Sequence, residues 1–177
     1  DIIVTSDGVK HSADWINSYR EQKQKVRSSI QSKGTRSSKR LLKRLSGKER
    51  TTATIINHTI AKSIVNSAKE QGKGISIEDL TNIRFTSKRR NKKFRTKLGR
   101  WSFGQLRSFL TYKAALNGVK LVAVEPRFTS QTCHSCKHIG ERRNKVFKCI
   151  NNKCEVNVID ADFNAAQNIA LLGETVN

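Results

Sequence analysis

Two groups of residues in the last third of the chain have types and spacings suited to chemistry. The first is a set of cysteines, Cys133, Cys136, Cys149 and Cys154, spaced C-x2-C-x12-C-x4-C with no other cysteine in the chain. Thiolates are soft ligands that suit Zn2+ in a tetrahedral site, and a two-residue gap lets two sulfurs on one turn reach one ion. Two such knuckles separated by a hairpin-length stretch predict a zinc ribbon. The second knuckle is wider than the usual gap, so His134 and His138 stand as possible substitute ligands. A closed set of four thiolates leaves no open coordination position, which assigns the expected zinc to folding. The plainer alternative is four reduced, buried thiols. The pairing into knuckles indicates metal usage in a reducing compartment and not a disulfide framework.

The second group is made of carboxylates. Asp160-Ala-Asp162-Phe-Asn164-Ala-Ala-Gln-Asn168-Ile reads as the start of a helix with Phe163, Ala166 and Ala170 facing inward. Aspartate there has a routine use, the capping of free amides, and Asp160 fits the cap better than Asp162. Upstream, Ile75-Ser-Ile77-Glu78-Asp79-Leu80 reads as a short strand. Its period of two puts Ile75 and Ile77 on one face, Ser76 and Glu78 on the other. A carboxylate at the end of a mostly buried strand is costly without a cation nearby, although an exposed strand end would accommodate it.

These groups need elements to hold them. The chain has 177 residues, enough for one domain or one domain with an insert. It begins with Asp, and we expect a piece of a longer protein. Ile2-Ile-Val-Thr-Ser-Asp7-Gly8 predicts a strand end, a tight turn and a second strand. Residues 12–71 lack proline and read as helical, with a break near Gly34 and Ser37-Ser38. Within them Leu41, Leu42 and Leu45 form a thin apolar stripe, and Ala53, Ile56, Ile60 and Ile64 mark a helix packed on a core. Gly72-Lys-Gly74 stops that helix. Trp101 to Asn117 is a second amphipathic helix, with Phe103, Leu106, Leu110 and Ala114 on one face and Gly118 as its stop. Val119 to Val124 is a buried strand that ends at Glu125-Pro126.

Charge narrows the partners. Lysine and arginine number 35 against 14 acids, a formal charge of +21. A surplus of that size points to a polyanion, most simply nucleic acid, with a merely soluble basic protein as the plainer alternative. Basic residues crowd Arg20 to Arg50. They crowd again in a loop expected to hold Arg84, Lys88, Arg89, Arg90, Lys92, Lys93, Arg95, Lys97 and Arg100, with Phe85 and Phe94 interleaved. Such a loop can neutralise phosphates and stack on unpaired bases. Arg142, Arg143, Lys145 and Lys148 would give the cysteine hairpin a basic face. No apolar run approaches the length of a membrane span.

Taken in order, these motifs resemble one family. A strand ending in Ile77-Glu78-Asp79-Leu80, a basic insert, a Trp-containing helix, Glu125-Pro126-Arg-Phe-Thr129-Ser130-Gln131-Thr-Cys133, the cysteine knuckles and Asp162-Phe-Asn164-Ala-Ala-Gln-Asn168 are similar to the C-terminal half of the transposon-encoded OrfB/TnpB proteins. These are RNA-guided DNA endonucleases related to the type V CRISPR effectors. The resemblance runs from about Asp1 to Leu172 and implies an α/β fold. That fold is an RNase H-like (RuvC-like) mixed sheet with helices, plus an inserted zinc ribbon. It implies a nuclease domain over residues 1–127, the ribbon over 128–157 and a final helix over 158–177.

By the same resemblance, Glu78 and Asp162 are catalytic ligands of Mg2+, and the zinc ligands are Cys133, Cys136, Cys149 and Cys154. Carboxylates converging from strands and a helix can hold two magnesium ions about 4 Å apart and hydrolyse a phosphodiester. A third acid, on a Gly-x-Asp-x-Gly strand, should lie upstream of Asp1; Asp1 and Asp7 do not match it. The implied partners are a DNA substrate, a guide RNA and a separately encoded transposase, in a prokaryotic cytoplasm at the nucleoid. A nucleic-acid-binding module without a working acidic triad is the alternative within the family. A simple zinc-ribbon transcription or ribosomal factor would leave the Glu78 and Asp162 motifs unexplained.

Overall fold

The computed structural model describes residues 3–11, 14–80 and 103–175. The expected Asp7-Gly8 turn is present: β1 (Ile3–Val4) and β2 (Lys10–His11) pair antiparallel. Gly8 takes φ +86°, in the left-handed region where a side chain would be strained. The proline-free stretch divides where its sequence weakens. Helix α1 (Asp14–Ser32) ends before Gly34, which has φ +64°, and α2 (Arg36–Glu70) begins under the side chain of Thr35, which accepts a hydrogen bond from the Ser38 amide. Arg27 staples the two helices, reaching Glu49 at 2.8 Å and Ser46 at 2.9 Å.

The second half of α2 carries the core. Ile60, Ala61 and Val65 are buried with Leu106, Leu110 and Ala114 of α3 (Phe103–Leu116) and with Ile75. Truncating a buried leucine such as Leu110 to alanine in a cluster of this kind costs about 2–5 kcal/mol. Asn57 donates to Gln105 at 2.9 Å, and Gln105 to Thr54 at 3.0 Å, so polar groups fix the level at which the helices meet.

Strands β3 (Ile75–Glu78) and β4 (Leu121–Val124) pair parallel, Ile75 opposite Leu121 through Glu78 opposite Val124. A strand buried along its length was expected at β4, and the structure corrects this. Val124 is buried, but Ala123 is exposed. Leu121 packs on the main core.

The cysteine-bearing region forms a separate sheet, β5 (Glu141–Arg143), β6 (Val146–Lys148) and β7 (Val158–Asp160), antiparallel throughout. Its core is Phe147, Cys133, Cys149 and Ala161. Strand β7 pairs with β6, so this sheet extends past residue 157, where sequence placed the end of the insert. Helix α4 (Ala161–Thr175) follows β7 with no linker and lies on the Ser76 face of β3. There Gly173 packs so closely that a Cβ would overlap the Ser76 side chain. Among the described residues, no helix is long and apolar enough to cross a membrane.

Candidate metal centre and carboxylate site

The four cysteines converge as their spacing predicts. Their sulfurs all lie within 4.8 Å of one another. Cys133 and Cys154 are 3.8 Å apart, and Cys136 and Cys149 are 3.5 Å apart. A tetrahedral zinc with Zn–S bonds of 2.3 Å would set its sulfurs about 3.8 Å apart, so the cluster has the dimensions of such a site. Both histidines held in reserve are otherwise engaged. His134 Nδ1 faces Asn164 Oδ1 at 3.0 Å, and His138 Nδ1 faces the Cys136 carbonyl at 3.0 Å. The thiols compete for charge. The backbone beside His138 draws Cys136 down to about 6. Cys149, although favoured by the Asn151 backbone, is pushed up to about 12 by burial and its sulfur neighbours. Such a crowd of sulfurs ionises fully only around a cation.

Helix α4 starts as the sequence suggests. Asp160 Oδ1 accepts from the amides of Asp162 at 2.9 Å and Phe163 at 3.1 Å, the cap expected of it. Its other oxygen meets Lys10 at 2.6 Å, which fastens the first hairpin to the helix and, with those amides, holds the carboxyl below the usual range. Asp162 is thereby spared the capping role. Its Oδ1 accepts from Arg142 at 2.7 Å, and both side chains are about one-third exposed. Arg142 is one of the basic residues expected on the hairpin with Arg143, Lys145 and Lys148; it stands opposite Phe147 in register and reaches Asp162, while Arg143 stands opposite Val146.

Glu78 ends β3 on the face covered by α4, as the alternation predicts. It is partly buried, and its Oε1 accepts from the Thr129 hydroxyl at 2.8 Å. It also lines a groove of about 1150 Å³ between the β1–β2 hairpin and β3, walled by Ile3, Val4, Ile75, Ser76 and, from α4, Ala166 and Gln167. Glu78 thus stands at the end of β3, and Asp162 in the first turn of α4. Among the described residues, the cysteines alone bring three or more potential ligand atoms within 4.8 Å.

The loop from β4 to the first knuckle is held by asparagines to which sequence reading gave no task. Asn164 and Asn168 are buried one turn apart on α4. Asn164 receives the His134 amide at 2.9 Å and donates to the Thr132 carbonyl at 2.8 Å. Asn168 donates to the carbonyls of Thr129 at 2.9 Å and Thr132 at 2.7 Å. Their i, i+4 spacing was the available signal: two amides on the inner face of a helix must find buried partners. The basic stretch Arg84 to Arg100 and Trp101 lie outside the described residues.

The fold of the described residues is shared with chains of two solved structures. The fold matches chains in a Cas12f1–sgRNA–target DNA complex (TM-score 0.66, 21% identity, 89% of this chain and 42% of that one). It also matches a CRISPR-Cas12f ternary complex (TM-score 0.70, 21% identity, 90% and 33%). Residues 103–169 match the Cas12f1-like TNB domain. In sequence the chain is 34% identical over 132 residues to a TnpB-like protein of Methanocaldococcus jannaschii, covering 74% of this chain and 46% of that protein. It is 39% identical over 119 residues to the CRISPR-associated endodeoxyribonuclease Cas12f1 of Sulfoacidibacillus thermotolerans, covering 65% and 26%. The chain is similar to TnpB-like and Cas12f proteins, the family its motifs resemble. It spans less than half the length of these relatives.

Proposed function

We propose that this chain is the C-terminal nuclease portion of an RNA-guided, transposon-associated DNA endonuclease. The observation that carries the reading is the placement of Glu78. It ends a parallel strand under α4, accepts a hydrogen bond from a buried hydroxyl, and lines a groove of about 1150 Å³. On this reading the body is RNase H-like, residues 1–127 and the last helix forming the nuclease and residues 128–157 a zinc ribbon. The cysteines hold Zn2+.

The oxygen ligands of Glu78 and Asp162 suit a hard cation. Mg2+ bound there would activate water and offset charge on the scissile phosphate. The chain's own residues do the rest. Thr129 orients Glu78, and Asp160 takes the capping load that would otherwise occupy Asp162. Arg142 sets a fixed positive charge beside Asp162, where a phosphate oxygen would be attracted. The basic segments, Arg84 to Arg100 among them, would contact guide RNA and target DNA.

The test is magnesium-dependent DNA cleavage by the complete gene product purified with its RNA, beside Glu78→Ala and Asp162→Ala. Loss of cleavage in both, with RNA binding retained, supports the assignment. An unaltered protein that binds DNA without cutting it points to the binding-module alternative.

A further inference from the structure

The loop between β4 and the first cysteine knuckle does more than connect them. Thr129 is 3% exposed, so its hydroxyl proton must be used inside the protein. Two acceptors are within reach, Glu78 Oε1 at 2.8 Å and the Pro126 carbonyl at 3.1 Å. The shorter contact goes to a carboxylate, and a hydrogen bond to a charged acceptor is the stronger kind. It occupies one lone pair of one oxygen and leaves the remaining lone pairs of Glu78 open for a cation. Thr129 is itself fixed, because Asn168 of α4 grips its carbonyl at 2.9 Å while binding Thr132 at 2.7 Å. Thr132 directly precedes Cys133, and Asn164 ties the same turn to α4 through the His134 amide at 2.9 Å.

We propose that Thr129 is the positioning residue for Glu78, and that Asn168 and Asn164 set its location by locking the loop to the helix that bears Asp162. One continuous set of hydrogen bonds thus joins the cysteine centre to the strand-end carboxylate, and the α4 that carries Asp162 fixes Glu78 as well. A β-branched threonine suits the task, since its χ1 is stiffer than that of serine. The inference rests on the reading of Glu78 as a magnesium ligand.

The experiment uses the complete gene product with its RNA and compares Thr129→Val, which keeps shape without the hydroxyl, with Thr129→Ser, which restores the hydroxyl. Cleavage rate, calorimetric Mg2+ affinity, zinc content and melting temperature are measured for each, with Glu78→Ala as reference. The expected result for Thr129→Val is Mg2+ affinity weaker by about tenfold or more and slower cleavage, with zinc content unchanged. Thr129→Ser should recover most of both. Wild-type Mg2+ affinity in Thr129→Val, or a serine variant as impaired as the valine one, overturns the proposal. If Thr129→Val fails to fold, Thr129→Ala is measured in its place, and wild-type Mg2+ affinity in a folded Thr129→Ala overturns the proposal. Cleavage that survives Glu78→Ala would instead sink the reading of Glu78 itself.

Discussion

The Arg142 guanidinium meets the Asp162 carboxylate at 2.7 Å, joining the hairpin of the cysteine module to the first turn of α4. The pair is partly solvated, so its removal should cost the fold little, no more than about 1 kcal/mol. On the proposed reading its electrostatic value to a bound phosphate would be larger, because a preorganised cation beside the reacting group needs no rearrangement. Arg142→Gln is expected to slow cleavage by about tenfold or more while the denaturation midpoint hardly moves. A time course of strand scission beside a urea titration reads both.

The metal centre should prove structural. Cys133 is fully buried against Phe147 and Cys149. Cys133→Ser, or extraction with a strong chelator, should lower bound zinc from about one ion per chain towards none. Hydrogen exchange should then accelerate across β5 to β7 while α2 and α3, which belong to a different core, stay protected. Atomic absorption and exchange mass spectrometry check the two halves of this expectation.

Close contact between α4 and β3 depends on one missing side chain. A Cβ at Gly173 would overlap Ser76 and press on Val122 at 3.3 Å. Gly173→Ala should therefore destabilise by about 1–3 kcal/mol despite its better helix propensity. Adding Ser76→Gly should recover much of that loss, and a double-mutant cycle of melting free energies measures the coupling.

His11 gives a pH dependence with a definite sign. Burial lowers its pKa from 6.5, against a smaller opposing pull from Asp7. The folded chain thus binds this proton less readily than the unfolded chain. Stability from the neutral ring is fully present above pH about 6.5 and is lost as pH falls through the folded-state value. The slope from one group cannot exceed about 1.4 kcal/mol per pH unit. Denaturant unfolding at pH about 7.5 and about 5 should show wild type losing more than His11→Gln; equal losses would discount the burial effect.

Legibility in the sequence followed locality. The Asp160 cap, the break at Gly34 and the Asp7-Gly8 turn are defined by residues a few positions apart, the cysteines by residues of one short stretch, and the structure has each of them. The alternation that put Ser76 and Glu78 on one face was also readable. What escaped was set by distant partners. Thr129 finds Glu78 across 51 positions, and nothing local marks a threonine as the orienter of a glutamate. Arg142 was one more basic residue until it met Asp162. Ala123 looked buried because its neighbours are apolar, yet burial depends on what covers a strand, and the covering elements lie elsewhere in the chain.

The matched advance of β3 and β4 gives the site a parity. Each residue from Ile75 to Glu78 stands beside its counterpart from Leu121 to Val124, and side chains alternate between faces. Inserting or deleting a single residue within either strand would send Glu78, or the Val124 that precedes its supporting loop, to the opposite side. A change of two would restore the face but move the carboxylate about 7 Å along the strand. Only the connections can change length without moving the carboxylate, so these eight residues act as a block of fixed size.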